Sequence, residues 1–204
     1  MTTVILSSAY FGPVQWYQKI NRYGHTLIES YDSFIKQTYR NRCLIATANG
    51  LQALTVPVLR CRESSLMRDI RISDHGNWRH LHWNALVSAY GESPFFEFYA
   101  DDLHPFFERK WQFLFDFNME ITHTMCSLLD VRPHISATSV YKHGDDIIQE
   151  DDFRDVIKPK HPLPDPAFLP RPYYQVYADR HGFQPNLSIL DLLFNMGPEG
   201  IFYL

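Results

Sequence analysis

The sequence predicts an α/β fold, and three observations carry the prediction. A strand-like run, a helical stripe and a second strand-like run follow one another within the first 30 residues or so. Asn49-Gly50 separates two β-prone runs, as a tight hairpin turn does. Two long stripes of apolar residues then recur at helical spacing through the middle of the chain.

Val4-Ile5-Leu6 reads as a short buried strand, and Ser7 to Pro13 as a loop. Pro13 suits the first turn of a helix and Gly24 its C-terminal stop. Between them Trp16, Tyr17, Ile20 and Tyr23 fall on one helical face. His25 to Ile28 is the second strand. This is a βαβ unit of Rossmann-like type, with a parallel pair and a right-handed crossover, and ligands in such sheets favour the carboxyl ends of the strands. Cys43 to Thr47 and Leu51 to Val58 flank the Asn-Gly turn, with Leu54, Val56 and Val58 alternating onto one face. Asp69 to Ser73 is a further strand candidate. Trp78, Leu81, His82, Ala85, Leu86 and Ala89 define one helix, with Asn77 or Asp74 as its cap. A second runs along Trp111, Leu114, Phe115, Asn118, Ile121, Met125, Leu128 and Leu129. Ile135 to Tyr141 reads as a strand. Ser188 with Asp191 resembles a capping box opening a last helix, and Gly197-Pro198 stops it.

The segment 145–172 is first acidic and then rich in proline: Pro159, Pro162, Pro164, Pro166, Pro170 and Pro172. It reads as an extended, polyproline-like connection. Only about 30 residues follow it, too few for a core of their own, so they dock back and 1–204 is expected to form one domain.

Composition narrows the function classes. A net charge of −4 gives no basic footprint for a nucleic-acid partner. No apolar run approaches the ~18 residues of a membrane span, and the start lacks a signal-peptide pattern, so no membrane insertion and a cytoplasmic location are expected. Cys43, Cys61 and Cys126 form no disulfide or zinc pattern. Aromatic residues reach 15 %, which points to a core built from large rings. There is no Walker loop, no dinucleotide-binding glycine fingerprint and no nucleophile elbow. No cofactor and no metal are expected. His80-x-His82 is not a helical metal pair, and Asp101-Asp102 could bind a hard cation weakly, its plainer reading being the polar start of a helix.

The densest polar cluster lies between Tyr31 and Asn49. If Lys36 to Arg42 is extended, Lys36, Thr38, Arg40 and Arg42 share one face, with the two guanidiniums roughly 7 Å apart. That face could hold a phosphate, diphosphate or carboxylate, or it could be a solvated edge that discourages aggregation. Gln37, Tyr39 and Asn41 would form the opposite, neutral polar face. Asp32 could be a general base or a hydroxyl acceptor, or merely a turn residue bonding backbone amides. His82 could be a general acid or base, or a satisfied core histidine. Asn186, in Pro185-Asn186-Leu187-Ser188, stands where backbone amides could take an anion or simply be capped. Parity turns Cys43 away from its basic neighbours, which argues against a nucleophilic thiol.

Several blocks together resemble the WbqC-like family of bacterial proteins. They are Leu6 to Ile20 with its tyrosine- and glycine-bearing loop, Tyr31-Asp32, and Lys36-Gln37-Thr38-Tyr39-Arg40-Asn41-Arg42-Cys43. Asn49-Gly50 before Leu54 to Val58, Trp78 with His82, Ser88-Ala89-Tyr90, and Ser93 to Phe96 follow in order. The block from Gly182 to Pro198 closes the series. Tyr10, Pro13, Arg40, Asn41, Arg42 and His82 match the family pattern. Ser7-Ser8 replaces the family's Gln-Pro, the tryptophan after the loop proline is missing, and Tyr39 stands where a tryptophan is usual.

The resemblance implies a role beside surface-polysaccharide biosynthesis, as a transferase acting on an activated amino sugar by acyl or aminoacyl transfer. On that reading Tyr10, Lys36, Gln37, Tyr39, Arg40, Asn41, Arg42 and Asn186 bind a phosphate- or diphosphate-bearing small molecule, and His82 or Asp32 takes the proton. The alternatives are a non-catalytic scaffold presenting Phe95, Phe96, Phe98 and Tyr99, or a nucleotidyltransferase- or ligase-like enzyme. The oligomeric state is left open. Convergence of Tyr10, Arg40, Arg42 and His82 on one pocket favours the enzyme; scatter favours the scaffold.

Overall fold

The structure is a computed structural model that describes residues 2–62, 64–144, 147 and 150–204. Its centre is β1 (Thr3–Ser7), whose Val4, Ile5 and Leu6 are fully buried. A strand covered on both faces reads as a continuous apolar run, which is why three consecutive aliphatics mark it. It pairs in parallel with β2 (His25–Glu29), Thr3 opposite His25 and Ser7 opposite Glu29. The helix α1 (Val14–Arg22) joins them, completing the expected βαβ unit. The sheet has four strands in the order β5-β2-β1-β6, all parallel, with β5 at Ile135–Ala137 and β6 at Glu150–Asp152. Their carboxyl ends therefore open on one side.

β6 lies inside the segment expected to be an extended connection. Its charged sequence gave no strand signal, because an edge strand of three residues needs backbone pairing more than apolar side chains. Asp145, Asp146, Ile148 and Gln149 of that segment lie outside the described residues. The proline-rich part forms no helix or strand and docks on α1. Lys19 Nζ meets Asp165 at 2.6 Å, with both side chains almost wholly buried, and Gln15 donates to the same carboxylate.

β3 (Arg42–Thr47) and β4 (Gly50–Thr55) form the expected antiparallel hairpin, closed by Thr47 opposite Gly50. Gly50 has φ 105°, a value open to glycine and costly for other residues, and this makes the tight turn possible. The helical middle comprises α2 (Trp78–Tyr90), α3 (Phe96–Leu103), α4 (Pro105–Glu108) and α5 (Leu114–Leu128). The short α6 (Ala178–His181) and then α7 (Ile189–Met196) follow, and a 3₁₀ stretch, Gly197–Tyr203, ends the chain. Rings dominate the core: Phe117 alone lies within 6.1 Å of Tyr10, Trp78, Phe106 and Trp111.

α7 is bolted to the first loop. Val14 N bonds Leu187 O, Ile189 N bonds Gly12 O, and Ser188 Oγ donates to Phe11 O. Ser188 does cap the helix, through Leu190 N. The capping box is not completed, however. Asp191 instead accepts from Tyr90 Oη, Tyr173 Oη and Gln175 Nε2 in the core. This network needs a buried carboxylate more than the helix needs a second cap.

Other local expectations change as well. Asp69 to Ser73 is a 3₁₀ turn, Met67–Asp69, followed by isolated bridges from Arg71 and Ile72. Neither Asn77 nor Asp74 caps α2 with its side chain, since the chain enters through a left-handed Asn77. Trp111 precedes α5 instead of lying in it, and β5 ends at Ala137, short of Tyr141. Tyr23, in an extended conformation, takes the stop of α1 that Gly24 was expected to supply. Phe96 is buried against Phe194, so it adds nothing to an exposed aromatic patch; Phe98 is exposed.

Candidate functional site

A cleft of about 430 Å³ opens at the carboxyl ends of the four parallel strands. Crossover connections leave that end free, which is why ligands of parallel sheets collect there. Past β2 come Tyr31, Asp32, Ser33 and Ile35; past β5, Tyr141 and His143; past β6, Arg154 and Asp155; Arg40 comes from the turn before β3.

Two charge systems build its floor. In the first, Asp32 Oδ2 accepts from Arg40 Nε at 3.2 Å, from Arg40 Nη2, and from Ser7 Oγ at 3.3 Å. Both partners of this pair are buried. Asp32 Oδ1 is also buried and has no hydrogen-bond partner among the described residues. Burial raises the Asp32 pKa, and the Arg40 guanidinium offsets that only in part. In the second system Arg154 Nη1 donates to Glu29 Oε2 at 2.9 Å, and Nε and Nη2 grip Asp152. Its guanidinium lies 4.7 Å from the Tyr141 ring centroid. Burial works against the Arg154 charge, but Asp152 first, then Tyr141 and Glu29, outweigh it and raise its pKa. Glu29 is wholly buried and also accepts from Tyr31 N and Thr138 Oγ1.

The residues singled out in the sequence go to different places. Lys36 to Asn41 is a series of turns, with Gln37 at φ 62°, so strand alternation does not operate there. The expected cationic face of Lys36, Thr38, Arg40 and Arg42 is therefore not formed. Arg40 turns inward to Asp32, Thr38 Oγ1 bonds Ile35 O, and Lys36 is exposed. Arg42, on β3, donates to Thr55 Oγ1 of β4 at 3.2 Å. Gln37 accepts from Lys160 Nζ. Tyr39 is buried, and its carbonyl receives Tyr10 N. Asn41 pins the hairpin, donating to Val56 O at 2.9 Å. Asn186 caps α1, accepting from Gln15 N at 2.9 Å, where it was expected beside the last helix.

Tyr10 and His82 meet in the core, 2.9 Å apart, away from the cleft lining. Burial lowers the His82 pKa to about 4, against a small opposing contribution from the Thr55 backbone. Its ring is therefore neutral near pH 7, and its Nδ1 shares a hydrogen bond with the Tyr10 hydroxyl. Burial pushes the Cys43 thiol up to about 12. Tyr10, Arg40, Arg42 and His82 do not share one pocket.

Of the sequence candidates, Asp32 and Arg40 reach the cleft. Glu29, Tyr141, His143, Arg154 and Asp155 were missed. Arg154 could have been noticed as an arginine inside an acidic run, since a lone cation among carboxylates is commonly paired with them. Among the described residues no cluster of three His, Cys, Asp or Glu side chains could hold a metal ion, and no helix is long and apolar enough to cross a membrane.

A sequence model of the WbqC-like protein family matches residues 8–158, from the first loop through the cleft wall after β6. The chain belongs to the WbqC-like family. It is also similar to an uncharacterised protein of Mycobacterium tuberculosis, at 29 % identity over 196 residues, covering 84 % of this chain and 83 % of that one. No solved structure matches this WbqC-like chain.

Proposed function

We propose that this WbqC-like protein is a cytosolic transferase that takes an activated amino sugar in the cleft at the carboxyl ends of β1, β2, β5 and β6. The observation that carries the reading is Asp32: a cleft-lining carboxylate with a raised pKa, one oxygen fixed by Arg40 and Ser7, the other buried without a partner. A sugar hydroxyl or amine is the natural complement of such an oxygen. Tyr31, Tyr141, His143 and Arg154 line the same cleft.

In acyl or aminoacyl transfer the sugar nitrogen bonds the acyl carbon and the donor's leaving group departs with the bonding electrons. The Asp32 carboxylate takes the proton that the nitrogen gives up. Raising the pKa of a carboxylate toward neutrality strengthens it as a base for this step. Arg40 holds the carboxylate in place. Buried, neutral His82 then serves the core, and Asp32 alone of the two carries the proton.

The test is a thermal-shift screen of nucleotide sugars and acyl donors. At 100 times its Kd a ligand stabilises by about 2.7 kcal/mol, a rise of roughly 5–10 °C for a chain of this length. The expected hit is a nucleotide amino sugar that shifts NMR signals of Tyr31 and Tyr141, with transfer abolished in Asp32→Asn. A complete series without a shift overturns the reading. The scaffold reading is favoured by the dispersal of Tyr10, Arg40, Arg42 and His82 and by Phe98, 76 % exposed beside Phe95. A sugar bound with no transfer in the wild type would select it.

A further inference from the structure

A second cavity, about 390 Å³, lies beside the first and is lined by Phe34, Ile35, Lys36, Cys61 and Arg62. Ile35 lines both cavities, so the segment 31–36 is the ridge between them. The chain just past the opposite wall of Cys61 and Arg62 is tied to that ridge at Ser65, Leu66 and Met67. Phe34 N bonds Ser65 O at 2.9 Å, Ser33 bridges Leu66, and Met67 N bonds Asp32 O. Arg62 itself is held in a tight turn, its backbone N to Ser65 Oγ and its carbonyl to Ser65 N.

The two cavities differ in the charged side chains that the described residues bring to them. In the cleft the cations are already matched: Arg40 faces Asp32, Arg154 faces Glu29 and Asp152, and Lys158 faces Asp155, so little positive charge is left for a free polyanion. The second cavity presents Lys36 and Arg62, and no carboxylate among the described residues lines it. Two cations beside an apolar floor of Phe34 and Ile35 suit a diphosphate: a guanidinium pairs with phosphoryl oxygens bidentately and an ammonium as a point charge.

We infer that Lys36 and Arg62 form a diphosphate-binding compartment, so that a sugar diphosphate straddles Ile35 with its sugar over Asp32 and its phosphoryl groups between residues 36 and 62. The inference rests on the proposed sugar cleft for the sugar half alone. Lys36 keeps an anion-binding role, but its partner is Arg62, not Arg40 or Arg42.

Cys61 supplies the readout. It is partly exposed in this cavity, whereas Cys43 and Cys126 are 1 % and 3 % exposed, so a thiol reagent in native buffer modifies Cys61 first. Inorganic pyrophosphate is the probe. It should slow Cys61 modification at least fivefold in the wild type and leave the rate unchanged in Lys36→Ala/Arg62→Ala. The control Lys110→Ala/Arg132→Ala removes the same charge from exposed sites elsewhere and should keep the protection. No protection in the wild type, equal protection in the Lys36/Arg62 variant, or equal loss in both variants overturns the inference. Pyrophosphate protection with no nucleotide sugar reaching Tyr31 and Tyr141 sinks only the sugar reading. Sugar binding there with Cys61 unprotected sinks only this one.

Discussion

Arg154 and Glu29 lie 125 residues apart in the chain and 2.9 Å apart in the fold. Glu29 ends β2 and Arg154 follows β6, so this ion pair reaches across β1 and sets the floor of the cleft. Removing Arg154 leaves Glu29, wholly buried, without its counter-charge. Breaking one side of a buried pair costs about 3–5 kcal/mol, whereas removing both sides costs much less. Arg154→Met should therefore lower the unfolding free energy by about 4 kcal/mol in urea titrations. Arg154→Met/Glu29→Gln should recover more than half of that loss. Equal stability of the single variant and the wild type would show that the pair contributes no more than an exposed one.

Arg40 and Arg42 were expected to share one cationic face. The structure separates them. Arg40 is 6 % exposed and neutralises Asp32, while Arg42 reaches a threonine at the surface of the hairpin. Arg40→Ala should cost about 3 kcal/mol, because Asp32 is left buried and must take a proton or draw in water. Arg42→Ala should stay within about 0.5 kcal/mol of the wild type. Differential scanning calorimetry of the two single variants separates the cases, and similar melting temperatures would contradict the assignment.

The βαβ unit, the hairpin and the long helices were legible because each rests on a local pattern. Val4-Ile5-Leu6 reads as a fully covered strand, and Gly50 supplies the positive φ that closes the two-residue Ala48-Asn49 turn. Long-range pairing was not legible. Glu150–Asp152 becomes a strand because β1 offers it a backbone edge, not because of its side chains. The site was half visible for the same reason. Asp32 stands next to a recognisable strand end, whereas Arg154 enters only once β6 is known to lie beside β1. The parity argument over Lys36 to Arg42 failed at Gln37, whose left-handed backbone breaks an extended run.

The neutral burial of His82 makes stability depend on pH. Its pKa falls from 6.5 to about 4 on folding. Above pH 6.5 the ring is neutral in both states and the stabilisation is fully present. As the pH falls from 6.5 toward 4, the unfolded chain gains a proton that the folded one refuses, and stability drops by 1.36 kcal/mol per unit at most. The total is about 3 kcal/mol. His25 is also lowered and contributes with the same sign, while Asp32 and Asp191, both raised, act oppositely nearer pH 4. The difference between wild type and His82→Gln isolates the effect, since glutamine does not titrate and can still hydrogen-bond the Tyr10 hydroxyl. Urea midpoints of the two should converge as the pH is lowered from 7 to 4; parallel curves would rule out a buried neutral histidine.

The proline-rich segment is held to α1 by one buried ion pair. Lys19 is 1 % exposed, and its ammonium has Asp165 at 2.6 Å and the Phe153 ring at 4.5 Å. Proline stiffens the chain but supplies no backbone donor, so 158–172 cannot hold itself to the helix through a hydrogen-bonded ladder. The remaining ties are Gln15 to Asp165, and Gln18 and Arg22 to Ala167 O. The Asp165 pKa is lowered because Lys19 and Gln15 outweigh the effect of burial, so the pair stabilises above the ordinary aspartate range and is lost as the pH falls through it. Asp165→Asn keeps the shape but leaves Lys19 charged and unpaired. It should cost about 3 kcal/mol and expose 158–172 to limited proteolysis before the rest of the chain unfolds. Lys19→Met/Asp165→Asn should restore stability, because methionine fills the same channel with no charge to satisfy. If cleavage of 158–172 in Asp165→Asn only accompanies global unfolding, the segment is held by its summed contacts and not by this pair.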